Sequence, residues 1–445
     1  MSRHTIVTPV TDSAAFLIVN PLYGSADLIS PEEKEQLLRA TDTDDRDAAG
    51  TPSADFLREI RQRGYLTDPQ EEANAYRNAY LDFIDRREVD EVQLFFVPNY
   101  ACNFACAYCY QEGHVPHQQP LNKAVIDAFF DYVRRHFAGR KKYITVFGGE
   151  PLLGGATQRE HLEHLLQRAS ELGLDVAFVT NGYTLSDYVG LLQQHRIREI
   201  QVTLDGTEAV HNDRRYLKGH LPTFQRIVEG IDACLNADIS INLRMVADKD
   251  NLGNLPDLAR FAIDKGWTAH PLFKTQIGRN YELHHCNSTP EKLYDRASLY
   301  AALYELMQVH PHIADFYQPA FSLAKSLAEN GTLPPPLFDA CPACKTEWAF
   351  DFTGTIYSCT ATVGKEGEAL GTFYPTEHLH TEAIEAWQER DVTTIEACQS
   401  CSLALACGGG CGSVAKNKNG SVYSPDCRPI QQLLSLGAAH YLMND

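Results

Sequence analysis

The 445-residue chain contains no run of about 18 apolar residues, and its opening Met1-Ser2-Arg3-His4-Thr5 leads into no apolar h-region. These absences speak against a membrane-spanning helix and a secretory signal, so a cytoplasmic protein with no membrane partner is expected. Basic residues are in short supply, 39 Lys and Arg against 58 Asp and Glu, for a formal net charge of −19. Sequence-independent binding to a phosphate backbone needs a concentration of Lys and Arg, so no nucleic-acid partner is expected. A disulfide framework is disfavoured as well. The 13 cysteines are an odd number, no signal peptide precedes them, and they cluster at CxxC-type spacings that suit metal. The remaining composition is that of an ordinary globular protein, long enough for two or three domains.

A fourth cysteine is missing from Cys102-Asn103-Phe104-Ala105-Cys106-Ala107-Tyr108-Cys109, which directly follows the apolar run 92–97. A cube of four irons and four sulfides usually takes four cysteine ligands, so three thiolates leave one iron free to hold another group. On spacing alone, a three-ligand zinc site or a loop with chance cysteines reads the same pattern. Gly148-Gly149-Glu150-Pro151, closing the next apolar run, weighs toward the cluster.

Ahead of this loop, residues 16–88 read as a compact unit. Residues 16–19 and 26–29 are expected as strands around the turn 20–24, and Ser30 as the cap of a helix with Pro31 first and Glu33 third. The acidic stretch 41–53 reads as loop. Phe56, Leu57 and Ile60 share a helix face that Gly64 ends, and Tyr65-Leu66 reads as a further strand. Asp68, Pro69 and Glu71 cap a helix with Tyr76, Tyr80 and Phe83 on one face. Small strands with three helices suggest a winged-helix arrangement. Its acidic character disfavours a DNA-reading role. A strand edge would suit an extended peptide, and a lid that binds nothing is the plain alternative.

From residue 92, apolar runs alternate with amphipathic segments. Strands are expected at 92–97, 143–147, 175–180, 199–204, 240–246 and 268–274, and helices at 121–136, 159–172, 185–195, 224–236 and 255–265. Six βα units imply an α/β fold with a parallel sheet, closed or partly closed as a barrel, with its site at the carboxyl ends of the strands. The cysteine loop, Gly148 to Pro151, Thr180-Asn181-Gly182 and Asp205-Gly206 all fall at those ends. Past the sheet, Tyr281, His284, His285 and Cys286 lie in a loop expected at the site's mouth, and Tyr281 and Cys286 are catalytic candidates. A core helix is expected at 293–309 and a stiff connector at Leu333-Pro334-Pro335-Pro336. Eight cysteines follow: Cys341, Cys344, Cys359, Cys398, Cys401, Cys407, Cys411 and Cys427. Eight is two sets of four, for which two tetrahedral zinc sites are one reading.

The CxxxCxxC knot with Tyr108 before its last cysteine, followed by Gly-Gly-Glu-Pro, resembles the radical S-adenosylmethionine superfamily. The resemblance implies that Cys102, Cys106 and Cys109 hold a [4Fe-4S] cluster whose open iron chelates S-adenosylmethionine. Gly148, Gly149, Glu150 and Pro151 would line its methionine end, with Glu150 accepting from the ammonium, and Asn181, Thr203, Asp205 and Arg215 would lie near ribose or carboxylate. One electron delivered to the sulfonium would release a 5′-deoxyadenosyl radical. The pattern from Cys341 to Cys427, centred on 401–411, resembles the SPASM extension with two auxiliary [4Fe-4S] clusters. By that resemblance Cys341, Cys344, Cys359 and Cys411 hold the first, and Cys398, Cys401, Cys407 and Cys427 the second.

The implied fold is a partial (β/α)6 TIM-like barrel between a winged-helix-like unit and a cysteine-rich extension. The expected divisions are a peptide-recognition unit at 1–91, the barrel at 92–275, a helical linker at 276–340, the SPASM region at 341–427 and a C-terminal helix at 428–445. The expected activity is modification of a short ribosomally made precursor peptide, bound through the N-terminal unit, by forming a side-chain crosslink. A flavodoxin- or ferredoxin-type protein would donate electrons. Epimerisation and small-molecule dehydrogenation are enzymatic alternatives, and a redox-sensing iron-sulfur DNA-binding protein is a non-enzymatic one. Formylglycine formation is a further alternative, disfavoured because that branch has Asp after the third cysteine of its first auxiliary set, where this chain has Thr360.

Overall fold

The computed structural model describes residues 1–41, 52–109, 111, 120–280 and 290–443. The chain opens with an antiparallel sheet of β1 (Ile6–Pro9), β2 (Phe16–Asn20) and β3 (Ser25–Ile29), in that order, followed by α1 (Pro31–Thr41), α2 (Ala54–Gln62) and α3 (Pro69–Val89). The helix starts follow the local capping chemistry. Glu33 N donates to Ser30 Oγ at 3.1 Å while Ser30 N donates to Glu33 Oε2 at 2.7 Å, and Asp68 accepts from Gln70 N at 2.8 Å. Tyr65-Leu66 forms no strand. Tyr65 is buried, and its hydroxyl meets Asp27 Oδ2 at 2.5 Å while Arg63 grips the same carboxylate with two 2.8 Å bonds. The segment is thus a pin between the end of α2 and β3.

Alternation along β2 presents two apolar faces. Ile18 packs with Leu37, Ile60 and Tyr65, whereas Leu17 and Val19 join Tyr304, Phe321 and Leu434 of the chain's second half. The strand β1 is missed by the sequence reading because its partner surface is distant: Thr8 Oγ1 donates to Gln431 O, and the helix Ile430–Tyr441 packs on the strand. On α3, the rings of Tyr76, Tyr80 and Phe83 lie 5.1, 5.2 and 5.5 Å from Phe338. Strand β3 is left as the outer edge of the small sheet.

This packing makes one pH prediction. His4 stacks on Tyr76 at 5.5 Å and accepts from Arg3 Nε at 3.0 Å, and burial, with Arg3 beside it, depresses its pKa from 6.5 to about 4. A depressed histidine stabilises the fold above about pH 6.5, and that contribution is lost as pH falls toward about 4. By linkage it is worth about 3 kcal/mol. Urea midpoints of wild-type protein are expected to fall across this window, and His4→Phe, which keeps the stack, is expected to flatten the slope.

The large sheet begins with six parallel strands in sequence order: β4 (Val92–Val97), β5 (Lys142–Val146), β6 (Val176–Thr180), β7 (Ile197–Thr203), β8 (Ile241–Ala247) and β9 (Phe273–Arg279). Between them run α4 (Lys123–His136), α5 (Ala156–Glu171), α6 (Leu185–Leu192), α7 (Glu208–Arg214), α8 (Phe224–Asn236) and α9 (Leu255–Asp264). The sixth strand starts later than the expected 268–274. Trp267 N closes α9 on Ala262 O at 3.0 Å, a turn follows, and Pro271 has no N–H for a ladder. It also runs past the expected boundary at 275, to Arg279.

The sheet does not close on itself. The free edge of β4 takes β10 (Glu347–Asp351) in parallel register, Phe350 opposite Phe96. Strands β11 (Thr355–Tyr357), β12 (Gly371–Thr372) and β13 (His378–Leu379) then extend one ten-stranded sheet, so the cysteine-rich segment is built onto the barrel wall rather than appended to it. The expected helix at 293–309 is α10 (Arg296–Val309). No helix among the described residues is long and apolar enough to cross a membrane.

Candidate active site

The cysteine loop leaves β4 and is stitched to the segment after α7. Ala105 N donates to Tyr216 O at 2.9 Å, Ala107 N to Arg214 O at 3.2 Å, and Lys218 N to Asn103 O at 3.0 Å. The loop carrying Gly148 to Pro151 presses against its start, with Glu150 N donating to Ala101 O at 2.8 Å. Only glycine allows that approach. Gly149 has φ +51°, and a Cβ there would stand 2.3 Å from Ala101 O.

Behind the loop stands a buried polar network. Tyr108 OH donates to Asp205 Oδ2 at 2.5 Å and accepts from Arg215 Nη1 at 2.7 Å. Arg214 pairs with Asp205 and, at 2.9 Å, with Asp248. Asp205 Oδ1 accepts from Val246 N at 3.0 Å. Glu150 is fully buried, and burial raises its pKa. Its Oε1 accepts from Thr180 Oγ1 at 2.6 Å and Leu152 N at 2.8 Å, and its Oε2 from Asn181 N at 2.6 Å. Glu150 and Asp205 are therefore engaged inside the wall, where they fix the loops that carry Pro151, Asn181 and Thr203.

In front of the wall lies a cavity of about 520 Å³. Cys102, Cys106, Cys109, Tyr108, Gly148, Gly149, Asn181, Thr203 and Arg215 line one side, and Cys341, Cys359 and Cys411 line it as well. Asn181 Nδ2 lies 3.7 Å from Cys102 Sγ. Burial pushes the thiols of Cys102 and Cys106 up, while Arg215 beside Cys106 acts in the opposite sense. Tyr281, His284, His285 and Cys286 lie outside the described residues.

The downstream cysteines gather as two sets. Cys341, Cys344, Cys359 and Cys411 act electrostatically on one another, as do Cys398, Cys401, Cys407 and Cys427. The glycine run 408–410 ties the sets together. Ala340 N donates to Gly408 O at 2.8 Å, next to Cys341, and Asp426 N to Gly409 O at 3.0 Å, next to Cys427. A Cβ on Gly410 would meet Asp426 O at 2.0 Å. Arg390, fully buried, donates to Val422 O at 2.6 Å, Gly409 O at 2.8 Å and Ser424 O at 3.3 Å. Among the described residues no three or more His, Cys, Asp or Glu side chains form a ready-made site for a metal ion.

Several cavity residues escape the sequence reading: Gln93, Gln111, Thr145, Glu199, Gln201, Arg244 and Glu347. Gln111 Oε1 accepts from Gly149 N at 2.8 Å, and its Nε2 is buried without a partner. Glu347 Oε1 accepts from Thr360 N at 3.1 Å, and burial pushes its pKa up to about 7. This puts a carboxyl beside Thr360 from a neighbouring strand. A usable signal existed for the strand residues: parallel strands covered on both faces are normally continuous apolar runs, and Gln93, Gln201 and Arg244 interrupt theirs.

Residues 96–262 match the sequence profile of the Radical SAM superfamily. The chain is 29% identical over 274 residues to the GTP 3′,8-cyclase of Rhizobium leguminosarum bv. trifolii (strain WSM2304), covering 58% of this chain and 72% of the cyclase. It is 26% identical over 318 residues to the mycofactocin maturase MftC of Mycobacterium ulcerans (strain Agy99), covering 70% and 80%. Among solved structures, native anSMEcpe with bound AdoMet and Cp18Cys peptide gives a TM-score of 0.61 at 15% identity, covering 80% of this chain and 99% of that one. Streptococcus suis SuiB bound to precursor peptide SuiA gives 0.53 at 15%, covering 97% and 99%. At such identities the structural likeness is one of fold. The profile match takes in the strands that carry the cysteine loop and the Gly-Gly-Glu-Pro turn, so the chain is an enzyme that contains a radical SAM domain over residues 96–262.

Proposed function

We propose that this enzyme modifies a ribosomally made precursor peptide, by forming a side-chain crosslink, in the chamber between its first and second cysteine sets. The observation that carries the reading is the shared cavity, which puts Cys102, Cys106 and Cys109 and Cys341, Cys359 and Cys411 around one space. The fold likeness to SuiB, solved with its precursor peptide, extends over 97% of the chain and so includes the N-terminal sheet. MftC, a maturase by name, is matched over 80% of its length.

A radical SAM domain works with S-adenosylmethionine and a [4Fe-4S] cluster, which together supply a carbon-centred radical able to take hydrogen from unactivated carbon. The residues present fit such a group. Three thiols share one side of the cavity, Gly149 admits a close backbone approach there, and the buried Gln111 Nε2 and Arg215 Nε line the same space without partners. Cys102, Cys106 and Cys109 would ligate the cluster. Arg215, Asn181 and Thr203 would face the methionine and ribose ends, and Tyr108, held by Asp205, would fix the loop's orientation. The two downstream sets would hold auxiliary [4Fe-4S] clusters, which spread their thiolates farther apart than a single ion does, and would pass electrons between the chamber and a flavodoxin- or ferredoxin-type donor.

In the N-terminal unit, the outer edge of β3 suits an extended peptide, whose backbone would continue the sheet. The unit sits on Phe338, Val392 and Cys398 through α3, so a peptide held there is docked onto the same body as the chamber.

The test is coexpression with the short peptide encoded beside the gene, followed by mass spectrometry. Loss of two hydrogen atoms per modification, with fragmentation blocked between two residues, is the expected result. An unchanged peptide under conditions that yield 5′-deoxyadenosine would overturn the peptide reading, and an unchanged mass with an inverted stereocentre would overturn the crosslink.

A further inference from the structure

Among the described residues that line the cavity, one guanidinium makes no hydrogen bond or ion pair at all. Arg244 stands mid-strand on β8, in register with Thr203 on β7 and Gln276 on β9, and lines the cavity. Its Nε is buried without a hydrogen-bond partner, and among the described residues no carboxylate pairs with its guanidinium. The other charged groups that line the cavity are engaged. Glu199 pairs with Lys274, Glu347 accepts from Thr360 N, Arg215 donates to Tyr108 OH, and Arg279 Nη1 donates to Tyr294 O at 2.6 Å.

The fold also keeps a seat for this side chain. A Cβ on Gly278 of β9 would lie 2.6 Å from Arg244 Nη2 and 2.8 Å from Nε, so the glycine lets the guanidinium rest against the strand. Arg244 is half-buried, and a guanidinium drawn partly out of water without a counter-charge is destabilising. Its planar fork matches a carboxylate in bidentate fashion. S-adenosylmethionine carries a carboxylate too, but Arg215 is the guanidinium beside Cys106. Arg244 is therefore left for the substrate.

We propose that Arg244 anchors the substrate by pairing with a peptide carboxylate, either an Asp or Glu side chain or the C-terminal carboxylate. This rests on the peptide reading of the chamber and gives it a specificity: the segment that enters bears an acid near the reacting residue.

The experiment uses the full-length reconstituted enzyme and the peptide encoded beside its gene. Apparent KM for the peptide and calorimetric affinity for S-adenosylmethionine are measured for wild type, Arg244→Gln, Arg244→Lys and Gly278→Ala. Arg244→Gln is expected to raise the peptide KM about 10- to 100-fold, the size of a lost charged hydrogen-bonded pair, while S-adenosylmethionine affinity is kept. Arg244→Lys is expected to recover part of the loss, and Gly278→Ala, which displaces the guanidinium without removing it, to raise KM by a smaller factor. Peptides with each Asp or Glu changed to its amide, or with an amidated C-terminus, then identify the source. One of them is expected to reproduce the loss with wild type and to add nothing to Arg244→Gln. A parallel fall in S-adenosylmethionine affinity would assign Arg244 to the cofactor, and indifference of wild type to every acid-to-amide change would exclude a carboxylate. Either result overturns the anchor while leaving peptide modification intact, whereas a wild type that modifies no peptide overturns both.

Discussion

Cys106→Ala is expected to abolish formation of 5′-deoxyadenosine and to lower the iron content from about twelve to about eight per chain, the loss of one four-iron cluster out of three. Cys106 lines the cavity between Cys102 and Cys109 and beside Arg215, in a loop whose backbone is held by bonds to Tyr216, Arg214 and Lys218 that do not involve the thiol. Removing one sulfur should therefore leave the loop and the sheet in place. The measurements are chromatography of nucleoside products after dithionite, an iron assay, and circular dichroism to verify the fold. Undiminished 5′-deoxyadenosine or unchanged iron would contradict the assignment of the loop as the reactive centre. The parallel change Cys234→Ala serves as control, because that thiol is buried inside α8 and belongs to no cysteine set. It is expected to keep the full iron content.

The second large effect is expected at Arg390. This side chain is fully buried and its fork spans three segments: Gly409 between Cys407 and Cys411, Val422 and Ser424 before Cys427, and Asp339 before Cys341, the last at 3.4 Å. Asp339 is also gripped by Lys345 and accepts from Cys341 N at 3.0 Å. Arg390→Leu would strand three buried carbonyls and half of the Asp339 pairing. Breaking a buried ion pair by removing one partner costs about 3–5 kcal/mol, enough to loosen the three segments together. Urea denaturation should show that loss, and reconstitution should recover an iron content nearer four than twelve per chain, because both downstream sets depend on the clamped loops. Arg390→Lys should recover little of either, since an ammonium has no fork to reach divergent carbonyls. A variant with wild-type iron and wild-type midpoint would show that the cysteine segments hold their positions without the clamp.

Local chemistry explains what the sequence by itself determined. The alternation of strands and helices, the caps at Ser30 and Asp68, and the placement of the Cys102 loop, Gly148, Asn181 and Asp205 at strand ends all follow from periodicity and side chains within a few residues of one another. The cysteine spacing and the Gly-Gly-Glu-Pro turn carried the family likeness for the same reason, because a ligand knot is written contiguously.

Only the tertiary structure decided the rest. Pairing of β10 with the free edge of β4 joins residues some 250 positions apart, and no local pattern announces it. Yet that pairing brings Cys341, Cys359 and Glu347 to the cavity of the Cys102 loop. The surroundings of Glu150 are likewise tertiary: Leu152 N and Thr180 Oγ1 donate to one of its oxygens and Asn181 N to the other, from two strand ends that meet only in the fold. Whether an arginine in a strand is paired or waiting depends on every neighbour that folds against it. For Arg244 those neighbours include a glycine on the next strand and a chamber built from both halves of the chain.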